Sequence, residues 1–146
     1  MEMTTTIPAT KSIETTPVPK GRRWIGGVIT TLSALFLLMD GVGKLIKPAP
    51  VIEGTIALGY PESVLLGLGI VLIVCTGLYV IPRTAVLGAM LLTGYLGGAV
   101  ATHVGVGDPL LTHALFPAYL AVLIWGGLFL RDRRLRALVP LSRQPA

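Results

Sequence analysis

The sequence predicts an all-α integral membrane protein, a four-helix bundle with both termini on the cytoplasmic side. Three observations lead there. Of the 146 residues, 53% are apolar and 13% charged, whereas soluble domains run near one quarter charged. The charges are also gathered at the ends: six lie in residues 1–23 and six in 131–146. Only seven fall in the 107 residues between, at Asp40, Lys44, Lys47, Glu53, Glu62, Arg83 and Asp108. That middle divides into four apolar runs of about 19–23 residues, which at ~1.5 Å per residue match a hydrocarbon core of ~30 Å.

Residues 1–23 are rich in Thr, Pro and Lys without helical periodicity, and are expected to form a disordered cytoplasmic tail. The first apolar run begins too late and continues too long for a signal peptide. The four-span domain covers 24–130, with spans over 24–46, 63–81, 84–104 and 112–130, followed by a basic cytoplasmic tail over 131–146. In the loop after span one, Pro50 is placed to open a short helix over Val51 to Leu58 that Gly59 would end. An extended proline-rich loop is the alternative there. Pro82-Arg83 separates spans two and three, residues 105–111 turn the chain into span four, and Pro117 falls in that span's first turns, where proline is tolerated. Short connections make spans two and three, and three and four, antiparallel neighbours. Ten basic residues collect on the side of the termini and Arg83, against Lys44 and Lys47 on the other. Basic residues stay inside, so the termini should be cytoplasmic.

Several kinds of chemistry are excluded. Cys75 is the single cysteine, which rules out thiol exchange between two cysteines of one chain and cysteine-ligated clusters. The net charge of +5 flanks apolar runs instead of forming a basic patch with interleaved aromatics. The partner it indicates is the lipid bilayer and not nucleic acid. No phosphate-cradling loop, serine–histidine–acid set or paired catalytic carboxylates occurs. No catalytic residue is assigned, and the chain does not read as an enzyme on its own.

Three groups of residues stand out. Gly94 and Gly98, four apart with Gly97 and Ala101 beside them, offer span three a surface for close helix packing, within the chain or between copies. Gly98→Leu should then force helices apart. Asp40 is a carboxylate inside a span, costing ~2.5–3.5 kcal/mol at the helix centre if unpartnered. Lys44 stands one turn later in the favourable acid-before-base order, and Thr30, Ser33, Leu37, Asp40 and Lys44 form a stripe that should face the other helices. Asp40 and Lys44 are read as a polar intramembrane pair: a structural, self-neutralising pair, a proton-bearing group, or a charge that orients a bound polar ligand. His103, Asp108 and His113 should cluster at the outer face. Their spacing matches no established metal motif, so no metal is assigned. Trp24, Tyr60 and Tyr79 are expected in interfacial belts. Tyr95, Thr93, Thr102, Thr76 and Cys75 are expected deeper, lining a small pocket or satisfying local backbone.

The segments DGVGKLIKPAPVIEG, ALGYP, IPRTAVLGAMLLTGYLGGAVATHVGVGDP and FPAYLAVLIWGGLFLRD closely resemble the DoxX-like family of small four-span bacterial membrane proteins, over about residues 24–140. The resemblance implies a four-helix bundle in a bacterial inner membrane. It assigns no activity, and the leading expectation is an accessory or structural component acting with protein partners, in a redox complex or as a homo-oligomer. Two alternatives are a membrane subunit of a quinone-linked oxidoreductase, for which quinone would be the cofactor, and a small transporter. Otherwise no cofactor is expected. Many relatives carry a glutamate in the middle of the second helix where this sequence has Leu72, which removes a buried acidic partner for Asp40.

Overall fold

The computed structural model describes residues 20–132 and Leu135. Most of the two expected tails lies outside these residues. Helix α1 runs Lys20–Ile46 and has 27 residues, so it begins inside the stretch expected to be tail. Lys20, Arg22 and Arg23 prolong the helix because long basic side chains carry their charges to water while the backbone stays helical. It stops where Lys47 turns to φ 54° and Pro48 follows, which lacks the N–H that a continuing helix needs.

Helix α2, Ala49–Ala57, begins after Pro48 with a proline in its first turn and is the short helix anticipated in this loop. It ends in a Schellman motif. Tyr60 N–H donates to the Thr55 carbonyl at 3.2 Å and Gly59 N–H to that of Ile56 at 2.9 Å, with Gly59 at φ 82°. Helix α3 is Val64–Val80, α4 is Ala85–Gly105, and α5 is Phe116–Arg131. A π-helical turn over Leu110–Ala114 leads into α5, with Leu115 N–H donating to the Leu110 carbonyl at 2.8 Å. Pro117 explains the widening: in a regular helix its ring would press on the carbonyl of residue 113.

The segments Lys20–Ile46, Ala85–Gly105 and Leu110–Arg131 are long and apolar enough to cross a membrane. Helix α3 is uncharged but has 17 residues, about 26 Å of helix. All described elements are helical, and the four long helices form the expected bundle. Helices α1 and α4 each pack against both α3 and α5, so that α1 and α4 face one another across a diagonal. Leu37, Leu72, Tyr79, Ala89, Leu92, Ile124 and Leu128 make the core.

The closest helix approaches are not where the glycine spacing placed them. A Cβ on Gly88 would collide with the backbone of Leu78 and Tyr79, so α3 and α4 touch main chain to main chain just past their turn. Between α1 and α5, a Cβ on Gly26 would come 2.8 Å from Leu130 Cβ and 2.9 Å from the Gly127 carbonyl. Gly94 and Gly98, by contrast, have nothing within 4 Å of a built Cβ. Within this chain they pack against no helix, because their side of α4 faces the open diagonal toward α1.

Tyr79 also departs from expectation. Instead of joining an interfacial belt it is fully buried, and its hydroxyl donates to the Ile124 carbonyl at 3.1 Å and lies 3.3 Å from Thr30 Oγ1. Arg131 closes over it: Nη2 donates to the Tyr79 carbonyl at 3.1 Å and the guanidinium lies 5.6 Å from the ring centroid. A tyrosine near a helix end reads as interfacial from sequence; here the neighbouring helix ends wrap it.

Candidate functional site

The stripe on α1 does face inward. Thr30, Ser33 and Leu37 are buried, and the next positions of the stripe are Asp40 and Lys44. Lys44 Nζ donates to Asp40 Oδ1 at 2.5 Å, the i, i+4 pairing on one helix face. Lys44 is the better buried partner, 17% exposed against 42% for the Asp40 side chain. Among the described residues Asp40 Oδ2 accepts no hydrogen bond.

The pair opens onto a cavity of about 510 Å³ in the half of the bundle nearer α2. Helix α1 supplies Phe36, Leu37, Asp40 and Lys44, and α4 supplies Gly94, Tyr95, Gly98, Thr102 and His103. Phe116, Pro117 and Leu120 of α5 and Leu68 of α3 complete the apolar wall, and Thr55, Leu58 and Tyr60 come from α2 and its C-terminal turn. Phe36 and Phe116 meet edge to face, centroids 5.6 Å apart, between α1 and α5. The bare faces of Gly94 and Gly98 make room in this space. Small residues here create volume where a tight helix contact was expected.

Two helix ends fix the rim. The Schellman turn after α2 sends Tyr60 toward α4, where its hydroxyl lies 3.1 Å from Thr102 Oγ1. A second such turn ends α4: Asp108 N–H donates to the His103 carbonyl at 3.0 Å and Gly107 N–H to that of Val104 at 3.1 Å, with Gly107 at φ 80°. It folds Asp108 back so that Oδ2 lies 2.6 Å from His103 Nδ1. His103 therefore lines the cavity with its other nitrogen unengaged among the described residues. His113 does not join them. It is exposed and lies against its neighbour, Nδ1 3.0 Å from Thr112 Oγ1. Among the described residues no three His, Cys, Asp or Glu side chains are grouped to hold a metal ion.

Among the deeper polar residues, Tyr95 and Thr102 line the cavity. Thr76 and Thr93 donate to the carbonyls four residues back, at 2.7 and 2.8 Å, and Thr93 also accepts from Trp125 Nε1 at 2.9 Å. Cys75 is buried in the core as a free thiol. Leu72 is fully buried, and it is Leu68 that α3 presents to the cavity. The α2 and α5 contributions had no sequence signal, because a loop's fold over a bundle end depends on its turns.

The sequence profile of the DoxX-like family matches residues 28–127. This chain belongs to the DoxX-like family. The match takes in the ion pair, His103, both Schellman turns and most of α5, so the cavity of this DoxX-like protein lies wholly within the family's domain. Compared with curated proteins and with solved structures, the chain matches none. The fold class and membrane character of the DoxX-like protein thus rest on its family and its helices. Its site rests on its own geometry.

Proposed function

We propose that this DoxX-like protein is an accessory component of a bacterial inner membrane, acting with protein partners by holding a small lipophilic ligand inside its bundle. The observation that carries the reading is the cavity of about 510 Å³ that joins an ion pair to an apolar wall. Ligand sites are commonly concave, of ~300–1,000 Å³, mostly apolar, with a few convergent polar groups. Intramembrane ionisable residues are expensive enough to mark functional positions by default. Purification into lipid nanodiscs followed by native mass spectrometry tests it. The parent should retain a small lipophilic species, and Gly98→Leu, which puts a leucine side chain into the cavity, should retain less of it. Equal retention by both would refute a ligand site here.

The basic asymmetry supports an orientation with both termini and Arg83 in the cytoplasm and the cavity in the outer half of the bilayer. Val106 and Arg83 are both exposed, at opposite ends, and Cys75 is buried. In intact cells Val106→Cys should react with an impermeant thiol reagent and Arg83→Cys should not; the opposite pattern overturns the orientation.

A second reading, a membrane subunit of a quinone-linked oxidoreductase, draws on the same cavity. Lys44 and Tyr95, whose side chains carry N–H and O–H donors, line it, and quinone carbonyls are acceptors. Extractable quinone in the purified protein, lost with Gly98→Leu, would favour this reading over the accessory one.

A further inference from the structure

The polar wall of the cavity says more about the ligand than its volume does. Resting on the reading of the cavity as a ligand site, we infer that it takes a neutral, hydroxylated amphiphile: a hydrocarbon chain whose uncharged head carries at least one hydroxyl group.

Charge constrains the head group first. Asp40 and Lys44 are paired at 2.5 Å on the cavity wall, and His103 is engaged through Nδ1 by Asp108 at 2.6 Å. A carboxylate or phosphate head would have to draw Lys44 away from Asp40, and an ammonium head would have to draw Asp40 away from Lys44. Either exchange leaves one of the chain's own charges unpaired at membrane depth, where desolvation is costly and the loss of one partner is worse than the absence of both. An uncharged head leaves the pair intact.

The remaining hydrogen-bonding capacity then selects among neutral heads. Asp40 Oδ2 is an acceptor without a donor among the described residues. Lys44 Nζ has three N–H groups, one of which is used on Asp40. Tyr95 lines the cavity, and its hydroxyl forms no hydrogen bond with the described residues. The α1 wall therefore presents a spare carboxylate oxygen and spare Lys44 donors together, and α4 brings Tyr95 to the cavity from across the diagonal. A ketone or ester satisfies the donors and leaves the carboxylate oxygen unmet. A hydroxyl meets both, donating to Asp40 Oδ2 while accepting from Lys44 or Tyr95, and bonds to charged groups are the stronger kind.

The rest of the cavity suits a chain. Phe36, Leu68, Phe116 and Leu120 form the apolar side. Opposite the stripe of α1, the bare strip of Gly94 and Gly98 has open space where side chains would stand. A methylene chain laid along that strip gains contact without displacing protein atoms.

Four probes of equal chain length test this: 1-dodecanoylglycerol, methyl dodecanoate, dodecanoate and dodecylammonium. The protein is held in phosphatidylcholine nanodiscs, so that no hydroxylated detergent competes, and bound probe is counted by native mass spectrometry during titration. Binding is taken as the excess of the parent over Gly98→Leu, which removes partition into the bilayer from the comparison. The expected result is that 1-dodecanoylglycerol binds roughly tenfold or more tightly than the other three, as bonds to charged groups and the cost of a broken ion pair require. Tyr95→Phe, which removes no hydrogen bond within the described protein, should weaken that binding roughly three- to tenfold. Methyl dodecanoate binding as tightly as the glycerol ester would overturn the role of Asp40 Oδ2 and with it the hydroxyl requirement. A charged probe binding most tightly would overturn neutrality while leaving the cavity a ligand site. If no probe shows an excess over Gly98→Leu and Tyr95→Phe changes nothing, the inference and the ligand-site reading fail together.

Discussion

Around Tyr79, helices meet backbone to backbone: Gly88 lies against Leu78 and Tyr79, and Gly26 against Gly127. The hydroxyl and the carbonyl of Tyr79 there both have partners on another helix. Around Asp40, half a bundle away, α1 and α4 stand apart across a cavity, and glycines of α4 face open space. Both halves use glycine, tyrosine and a basic residue. In the first half they close the structure; in the second Gly41 and Gly69 still close α1 onto α3, while the α4 residues leave the diagonal open with polar capacity to spare. Identical residue types thus serve opposite ends, depending on whether the facing helix is an edge neighbour or the diagonal one.

The sharpest way to break this comparison is to add the same side chain to both halves. Gly88→Leu should destabilise the protein by about 3 kcal/mol, the upper end for overpacking, because backbone cannot give way as a side-chain tip can. Gly98→Leu should change stability little, since its Cβ meets nothing within 4 Å. Thermal unfolding of both variants in one detergent checks this, and comparable losses would show that the Asp40 half is closed after all.

The tyrosines give the next contrast. Tyr79→Phe gives up bonds to Ile124 and Thr30, which should cost about 1–2 kcal/mol. Tyr95→Phe should be nearly neutral in stability, since its hydroxyl has no described partner to lose. A large loss at Tyr95 would mean that its hydroxyl bonds within the protein.

A double-mutant cycle sharpens the picture of the ion pair. Asp40→Ala alone should destabilise more than Asp40→Ala with Lys44→Leu, with a coupling energy of about 1 kcal/mol, modest because the carboxylate is 42% exposed. Zero coupling would leave Lys44 snorkelling outward and Asp40 needing another partner. Smaller than that coupling should be the effect of His103→Gln. It removes a part-exposed contact to Asp108 and should cost about 0.5 kcal/mol at most, read as a shift in the unfolding midpoint.

The sequence by itself determined the membrane environment, the four helices and the inward stripe on α1. These follow from local quantities: charge density, the length of apolar runs, and the spacing of Thr30, Ser33, Leu37, Asp40 and Lys44 along one helix. The pairing of Asp40 with Lys44 was legible for the same reason, since both lie on one helix a turn apart. The helix in the first loop was legible through Pro50 and Gly59, although extended backbone was an equal alternative. Tertiary structure decided what the glycines do. Gly88 and Gly98 are both small residues on α4, and only the placement of α3 beside one and of α1 diagonal to the other makes the first a contact and the second a space. It likewise decided that Tyr79 is wrapped by α1 and α5 instead of facing an interface, and that His103 joins Asp108 without His113. Those outcomes depend on which helices are neighbours and how turns aim side chains. That information arises from packing between segments distant along the chain, and no single segment carries it.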